Sequence, residues 1–152
     1  MAEVTEVLER AARRRREAGL DVIVVHDPEA RGVRMAGETL EEILLNLLDN
    51  AKQHGGDGVH VRIVSRLDLT AVPPAVEVIV SDDGPGISDA NASRIFTPFF
   101  TTARDRGGSG LGLSIVRSLL EAHGGSIELG GGSPGAAFKV HLPAGDPVTP
   151  LG

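Results

Sequence analysis

The stretch SDDGPGISDANASRIFTPFFTTARDRGGSGLGL, residues 81–113, limits the folds open to this chain more than any other. The apolar run VEVIV leads into it and reads as a buried strand, so Asp82 falls at a strand end, facing a pocket rimmed by Gly84 and Gly86. At the far end, Gly107, Gly108, Gly110 and Gly112 surround Ser109, and the helical period Leu111, Ile115, Val116, Leu119 begins at once. Such a loop lets backbone N–H groups approach an anion without Cβ interference, and the helix start adds unsatisfied donors and its positive dipole end. That geometry suits di- and triphosphates; a flexible surface loop has the same composition. Spacing excludes two other phosphate loops. The third glycine of a dinucleotide fingerprint would fall at Leu113, and no Gly-Lys-Ser/Thr ending exists. At the first turn, a carboxylate at Asp82 can accept a hydrogen bond from the exocyclic amine of adenine and repels the carbonyl oxygen of guanine. A tight turn with solvated acids is the competing reading of Asp-Asp-Gly-Pro-Gly.

Along the rest of the chain, residues 2–18 read as a helix, with Val4, Val7, Leu8 and Ala11 at helical spacing. Its basic run Arg13–Arg16 reads as a solvated face near the helix C-terminus, where cations are favoured. Strands follow at 21–26 and 32–35, then a strongly helical segment at 38–54 whose stripe Leu40, Ile43, Leu44, Leu47, Ala51 should pack on a sheet. Asn46 and Asn50 lie one turn apart on a different face of that helix. Asparagine is a mediocre helix former, so the pair calls for an explanation beyond bare surface. Strands at 59–67 and 75–80 form a loosely connected hairpin, and those at 126–129 and 136–142 finish the sheet, with a tail after Pro143 that frays. Residues 95–100 hold three of the four phenylalanines, either as core or as a hydrophobic latch for a partner helix. The segment 101–107 is short, polar and glycine-ended, which suits a mobile lid.

Taken in order, NLLDNA (46–51), DDGPGI (82–87), IFTPFFTT (95–102), GSGLGL (108–113), HGGSI (123–127) and GAAFKVHLP (135–143) resemble the catalytic, ATP-binding (HATPase) domain of bacterial sensor histidine kinases, within the GHKL ATPase superfamily. The resemblance implies an α/β (α+β) two-layer sandwich, with a mixed, largely antiparallel sheet covered on one face by three main helices. It makes residues 1–152 a single ATP-binding domain, with 1–18 a helix derived from a linker and 144–152 a frayed tail. It implies that Asp82 selects adenine beside Gly84, Gly86 and Ile87, that Asn50 holds Mg²⁺, and that Asn46, Gln53 and His54 line the ATP site. Gly108, Gly110, Leu111, Gly112 and Leu113 would cup the phosphates, with Thr101, Thr102 and Arg104 (or Arg106) at the lid. Hydrolysing relatives carry a glutamate where Asn46 stands; an amide cannot accept a proton, so the site looks built for transfer rather than rapid hydrolysis. His54 also reads as a helix-terminal histidine favouring the dipole, and His123 as structural.

This sequence departs from the family pattern in three places. Gln53 and Ala103 stand where kinases usually carry a cation, and Ala136 stands where a threonine helps to hold adenine. None of the five histidines (His26, His54, His60, His123, His141) lies in a helical context followed by an acid, so the phosphoacceptor is expected on a separate dimerisation domain, with a response regulator downstream. An anti-sigma-type serine kinase and a non-catalytic ATP-binding switch are the alternatives. A length of 152 residues supports one core, and a net charge of −6 argues against nucleic acid as principal ligand. No apolar run approaches the roughly 20 residues of a membrane span, and nothing resembles a signal peptide. Cysteine is absent, which excludes disulfides and cysteine-based metal sites and fits the cytoplasm, including the cytoplasmic part of a membrane-bound sensor.

Overall fold

A computed structural model describes residues 2–98, 100, 112–130 and 135–145. The apolar alternation of the strands and the 3.6-residue period of the helices produce two layers. In chain order the elements are β1 (Ala2–Glu3), α1 (Val4–Glu17), β2 (Asp21–Val25), β3 (Gly32–Val33), α2 (Gly37–Gly55), β4 (His60–Asp68), β5 (Ala75–Asp82), α3 (Asp89–Ala92), α4 (Gly112–Ala122), β6 (Ser126–Gly130) and β7 (Ala137–Gly145). The sheet runs β1-β3-β7-β5-β4-β2, with β6 also paired to β7. Only β2 and β4 pair in parallel; every other described pairing is antiparallel.

Strand alternation decides which face is covered. Val61 and Ile63 of β4, Val76, Val78 and Val80 of β5, and Phe138, Val140 and Leu142 of β7 point to one face and are buried. Against them pack Leu40, Ile43, Leu44, Leu47 and Leu48 of α2, Leu8 of α1, and Val116 and Leu120 of α4. The central helix is α2, which contacts α1 on one flank and α4 on the other. Truncating one of its fully buried leucines, such as Leu47, would remove about 2–5 kcal/mol of stability. The opposite sheet face carries Arg62, Arg66, Glu77, Lys139 and His141.

Several boundaries differ from the sequence expectation. The N-terminal helix begins only at Val4, because Ala2 and Glu3 pair with Val33 and Gly32. The last strand continues to Gly145, two residues beyond Pro143 where fraying is expected, since Ala144 and Gly145 pair with β3. The short α3 has no apolar stripe to announce it; Ser88 caps it by accepting a hydrogen bond from the Asn91 N–H at 3.2 Å. The basic run leaves Arg13, Arg14 and Arg16 exposed, as a solvated face should, and two of its cations also pair with α2. Arg14 lies 2.9 Å from Glu41, and Arg15 grips Asp49 with Nε at 2.7 Å and Nη2 at 3.1 Å, both on α2.

Candidate nucleotide site

The end of β5 is the focus. Asp82 is half-buried, and its Oδ1 accepts hydrogen bonds from the Gly84 N–H (2.9 Å) and, longer, the Ala136 N–H (3.4 Å). Its own N–H donates to the Ala136 carbonyl at 2.9 Å. One carboxylate oxygen is thereby fixed by the backbone, while Oδ2 has no hydrogen bond to a described residue. An anchored carboxylate with one oxygen left over is a preorganised acceptor for an amine.

Close backbone approach around Asp82 explains the glycines. Gly135 sits at φ +85°, and a Cβ there would overlap the Asp82 carbonyl. Gly86, at φ +81°, faces the Gly135 carbonyl, 3.0 Å from where its Cβ would stand. A Cβ on Gly84 would lie 3.0 Å from the Cα of Gly55, so the turn rests directly on the last residue of α2. At the other end, a Cβ on Gly112 would lie 3.3 Å from Asn46 Oδ1, which places the start of α4 against the middle of α2. The two turns thus touch one helix at residues 46 and 55, about 13 Å apart along its axis at 1.5 Å per residue.

Between those contacts lie Asn50, Gln53 and His54, all half-buried. Asn46 donates from Nδ2 to the Glu42 carbonyl at 2.9 Å, leaving Oδ1 toward Gly112. Asn50 makes no side-chain hydrogen bond to a described residue, so its amide oxygen remains available as a hard ligand of the kind Mg²⁺ prefers. Ile87 packs against the core edge, and Leu113, in the first turn of α4, is buried. Of the expected site residues, the fold therefore brings together Asn46, Asn50, Gln53, His54, Asp82, Gly84, Gly86, Ile87, Gly112 and Leu113. Thr101, Thr102, Arg104, Gly108, Gly110 and Leu111 lie outside the described residues, as do Phe99, Ala103 and Arg106.

Sequence reasoning missed three contributors. Ala136 has no side-chain donor, yet its backbone N–H reaches Asp82; strand position supplies the group, so residue type gives no hint. Gly135 appears in the sequence only as one glycine among many. Asp83 serves the sheet: its carboxylate accepts from the His60 N–H at 2.7 Å and faces His60 Nδ1 at 2.9 Å. The backbone hydrogen bond from His60 holds the Asp83 carboxyl below the ordinary carboxylate range. The phenylalanines Phe96 and Phe100 are partly buried against the core. Phe96 meets Phe138 edge-on at 6.2 Å, with Arg117 5.7 Å from its ring. His123 bonds the Leu119 carbonyl through Nδ1 at 2.8 Å, a structural role.

An open depression of about 350 Å³ borders Asn46, lined otherwise by Arg15 of α1 and by Glu38, Glu41, Glu42, Leu45 and Asp49 of α2. Its four acids would repel a phosphate chain.

A strand-end carboxylate, a helix bearing two asparagines and a glycine-led second helix meet within one two-layer α/β domain. Residues 35–146 match the family described as histidine kinase-, DNA gyrase B- and HSP90-like ATPases. The signal transduction histidine-protein kinase/phosphatase MprB of Mycobacterium sp. (strain KMS) is 42% identical over 162 residues, covering 100% of this chain and 30% of that protein. The catalytic domain of histidine kinase ThkA superposes with a TM-score of 0.79 at 30% identity, covering 94% of this chain and 93% of that one. Full-length ShkA, solved with AMPPNP, gives 0.74 at 29% identity, covering 99% of this chain and 32% of that one. ThkA has also been solved in complex with the response regulator TrrA, with a TM-score of 0.74 at 29% identity over 95% of this chain and 41% of that one. The chain belongs to this ATPase family, as a catalytic domain of the protein histidine kinase type. It spans less than a third of the length of the curated relatives it matches.

Proposed function

We propose that this chain binds Mg·ATP and presents the γ-phosphoryl group to a histidine on a separate dimerisation and phosphoacceptor domain, within two-component signalling. The observation that carries the reading is Asp82, anchored through Oδ1 by two backbone N–H groups and with Oδ2 left to meet an exocyclic amine. Gly84, Gly86 and Ile87 form the surrounding wall, and Ala136 supplies a backbone donor in place of the missing threonine. Asn50 would hold Mg²⁺, which when bound neutralises charge on the phosphate oxygens. Gly112 and Leu113 begin the helix whose start receives the phosphates, together with Gly108, Gly110 and Leu111. Gln53, His54, Thr101, Thr102 and Arg104 complete the proposed contacts.

In the transfer, an imidazole nitrogen of the partner domain attacks the γ-phosphorus, the bridging P–O bond to the β-phosphate breaks, and ADP leaves with the electron pair. The attacking ring then loses its N–H proton. Asn46 stands where activation of water would need a carboxylate, and an amide has no basic lone pair for that proton. Positioning and electrostatics therefore supply most of the rate, and the isolated chain should turn ATP over slowly. No described helix is long and apolar enough to cross a membrane. We place the domain on the cytoplasmic side, where ATP and a response regulator are both present.

Calorimetric titration of ATP and GTP, with and without MgCl₂, tests the base assignment: ATP should bind at least tenfold more tightly, and equal affinities would remove Asp82 from base recognition. Incubation with labelled ATP and a phosphoacceptor domain from a related kinase tests the transfer. An acid-labile phosphoprotein supports histidine as acceptor, whereas an acid-stable one supports the serine-kinase alternative. Absence of any transfer supports an ATP-binding switch.

A further inference from the structure

We infer that Asp68, Glu77 and His141, on the sheet face turned away from the helices, form a binding site for a transition-metal dication of the Zn²⁺ class. The placement follows from register. Glu77 of β5 lies directly opposite His141 of β7 on one side and Arg66 of β4 on the other, and Asp68 is two residues beyond Arg66 on the same face. One ligand atom from each of Asp68, Glu77 and His141 lies within 4.8 Å of the other two. Glu77 alternates with the core valines and so points outward, yet it is only 6% exposed. A carboxylate shielded this well on the sheet face turned away from the described helices has few water molecules to give up when an ion binds.

The donor chemistry suits the ion. His141 Nε2 stands 2.8 Å from Glu77 Oε2, while Oε1 is separately held by Arg66 Nη2 at 3.2 Å. A metal would replace the Glu77–His141 hydrogen bond, taking Oε2 and Nε2 as ligands, with Arg66 beside Oε1. Zn²⁺ bonds nitrogen and oxygen at about 2.0–2.2 Å, so tetrahedral ligands stand about 3.3 Å apart and the histidine–glutamate pair need open by only about half an ångström. The ring would then carry its proton on Nδ1. Asp68 is held by its own turn: Oδ1 accepts from the Thr70 N–H at 2.9 Å and from its hydroxyl. One imidazole with two carboxylates selects Zn²⁺, Co²⁺ or Ni²⁺ over Mg²⁺, and a water can complete four-coordination.

A second histidine with two acids shows what a non-convergent cluster looks like. His60 faces Asp83 through Nδ1 at 2.9 Å and Asp21 through Nε2 at 3.4 Å, so its two acids lie on opposite sides of the ring and cannot share an ion.

The test is calorimetric titration of the chain with ZnCl₂ in the presence of excess MgCl₂, with Co²⁺ absorption as a spectroscopic check. Saturable one-to-one binding is expected, and His141→Ala and Asp68→Asn should each weaken it at least tenfold and remove the tetrahedral Co²⁺ spectrum. Asp68→Asn sits near a strand end and keeps the fold even if His141→Ala does not. His60→Ala should leave binding unchanged. No saturable binding by the parent chain, binding that survives both substitutions, or binding lost in His60→Ala instead would each overturn the assignment.

Discussion

Gly135→Ala is the most informative single substitution for the geometry of the site. Gly135 has φ +85°, where an L-residue costs about 1–2 kcal/mol relative to glycine, and its new Cβ would overlap the Asp82 carbonyl. Relief requires the junction between β5 and β7 to part, which stretches the Asp82 N–H to Ala136 carbonyl bond (2.9 Å) and the Ala136 N–H to Oδ1 bond (3.4 Å). Two hydrogen bonds at about 1 kcal/mol each bring the loss to about 3–4 kcal/mol. Gly19→Ala is the matched control: its φ is +98°, but nothing lies within 4 Å of the added Cβ, so only the backbone cost of about 1–2 kcal/mol applies. Urea unfolding of both variants and the parent, monitored by circular dichroism, gives the two stabilities, and ATP titration of the folded proteins gives the affinities. Gly135→Ala should be about 2 kcal/mol less stable than Gly19→Ala and bind ATP at least tenfold more weakly. Equal stability of the two variants, with parental ATP affinity in Gly135→Ala, would refute the claim that backbone crowding at residue 135 sets the orientation of Asp82.

Three further outcomes follow from the same contacts. Asp82→Asn keeps an acceptor at Oδ1 for Gly84 and Ala136, so it should change stability by less than about 1 kcal/mol while weakening ATP binding at least tenfold; Asp82→Ala loses both bonds and should cost about 2 kcal/mol in unfolding measurements. Asp83 has its folded-state pKa lowered, chiefly by the His60 N–H, so its contribution is present above the unfolded carboxylate pKa and is lost as pH falls through the lower folded value. Acid unfolding of Asp83→Asn should show a shallower loss of stability in that window than the parent, and identical curves would contradict the assignment. The pair Arg15–Asp49 has side chains 27% and 46% exposed, so a double-mutant cycle should return a coupling below about 1 kcal/mol despite its two-pronged contact.

Much of the fold is legible in periodicity. The stripe Leu40, Ile43, Leu44, Leu47 and the alternation of Val61, Ile63 and of Val76, Val78, Val80 specify a helix and two strands, because burying one face allows a single period for each element type. The sequence also singles out Asp82 and the asparagine pair as candidates, since a carboxylate at a strand end and two poor helix formers one turn apart ask for a ligand. The residues themselves do not say what meets them. The cations Arg14 and Arg15 read as solvated until α2 brings Glu41 and Asp49 against them, and Ala144 and Gly145 read as tail until β3 offers its edge.

The order of apolar and polar residues by itself determined which of the longer described segments coil and which extend, and the glycine turns marked where side chains must be absent. Tertiary structure alone decided that Ala136 donates to Asp82, that Gly135 presses on its carbonyl, and that Glu77, His141 and Asp68 share one corner of the open face. The physical reason is that backbone N–H direction and cross-strand neighbours here depend on register between segments 54 or more residues apart, and no local propensity encodes register across such a distance.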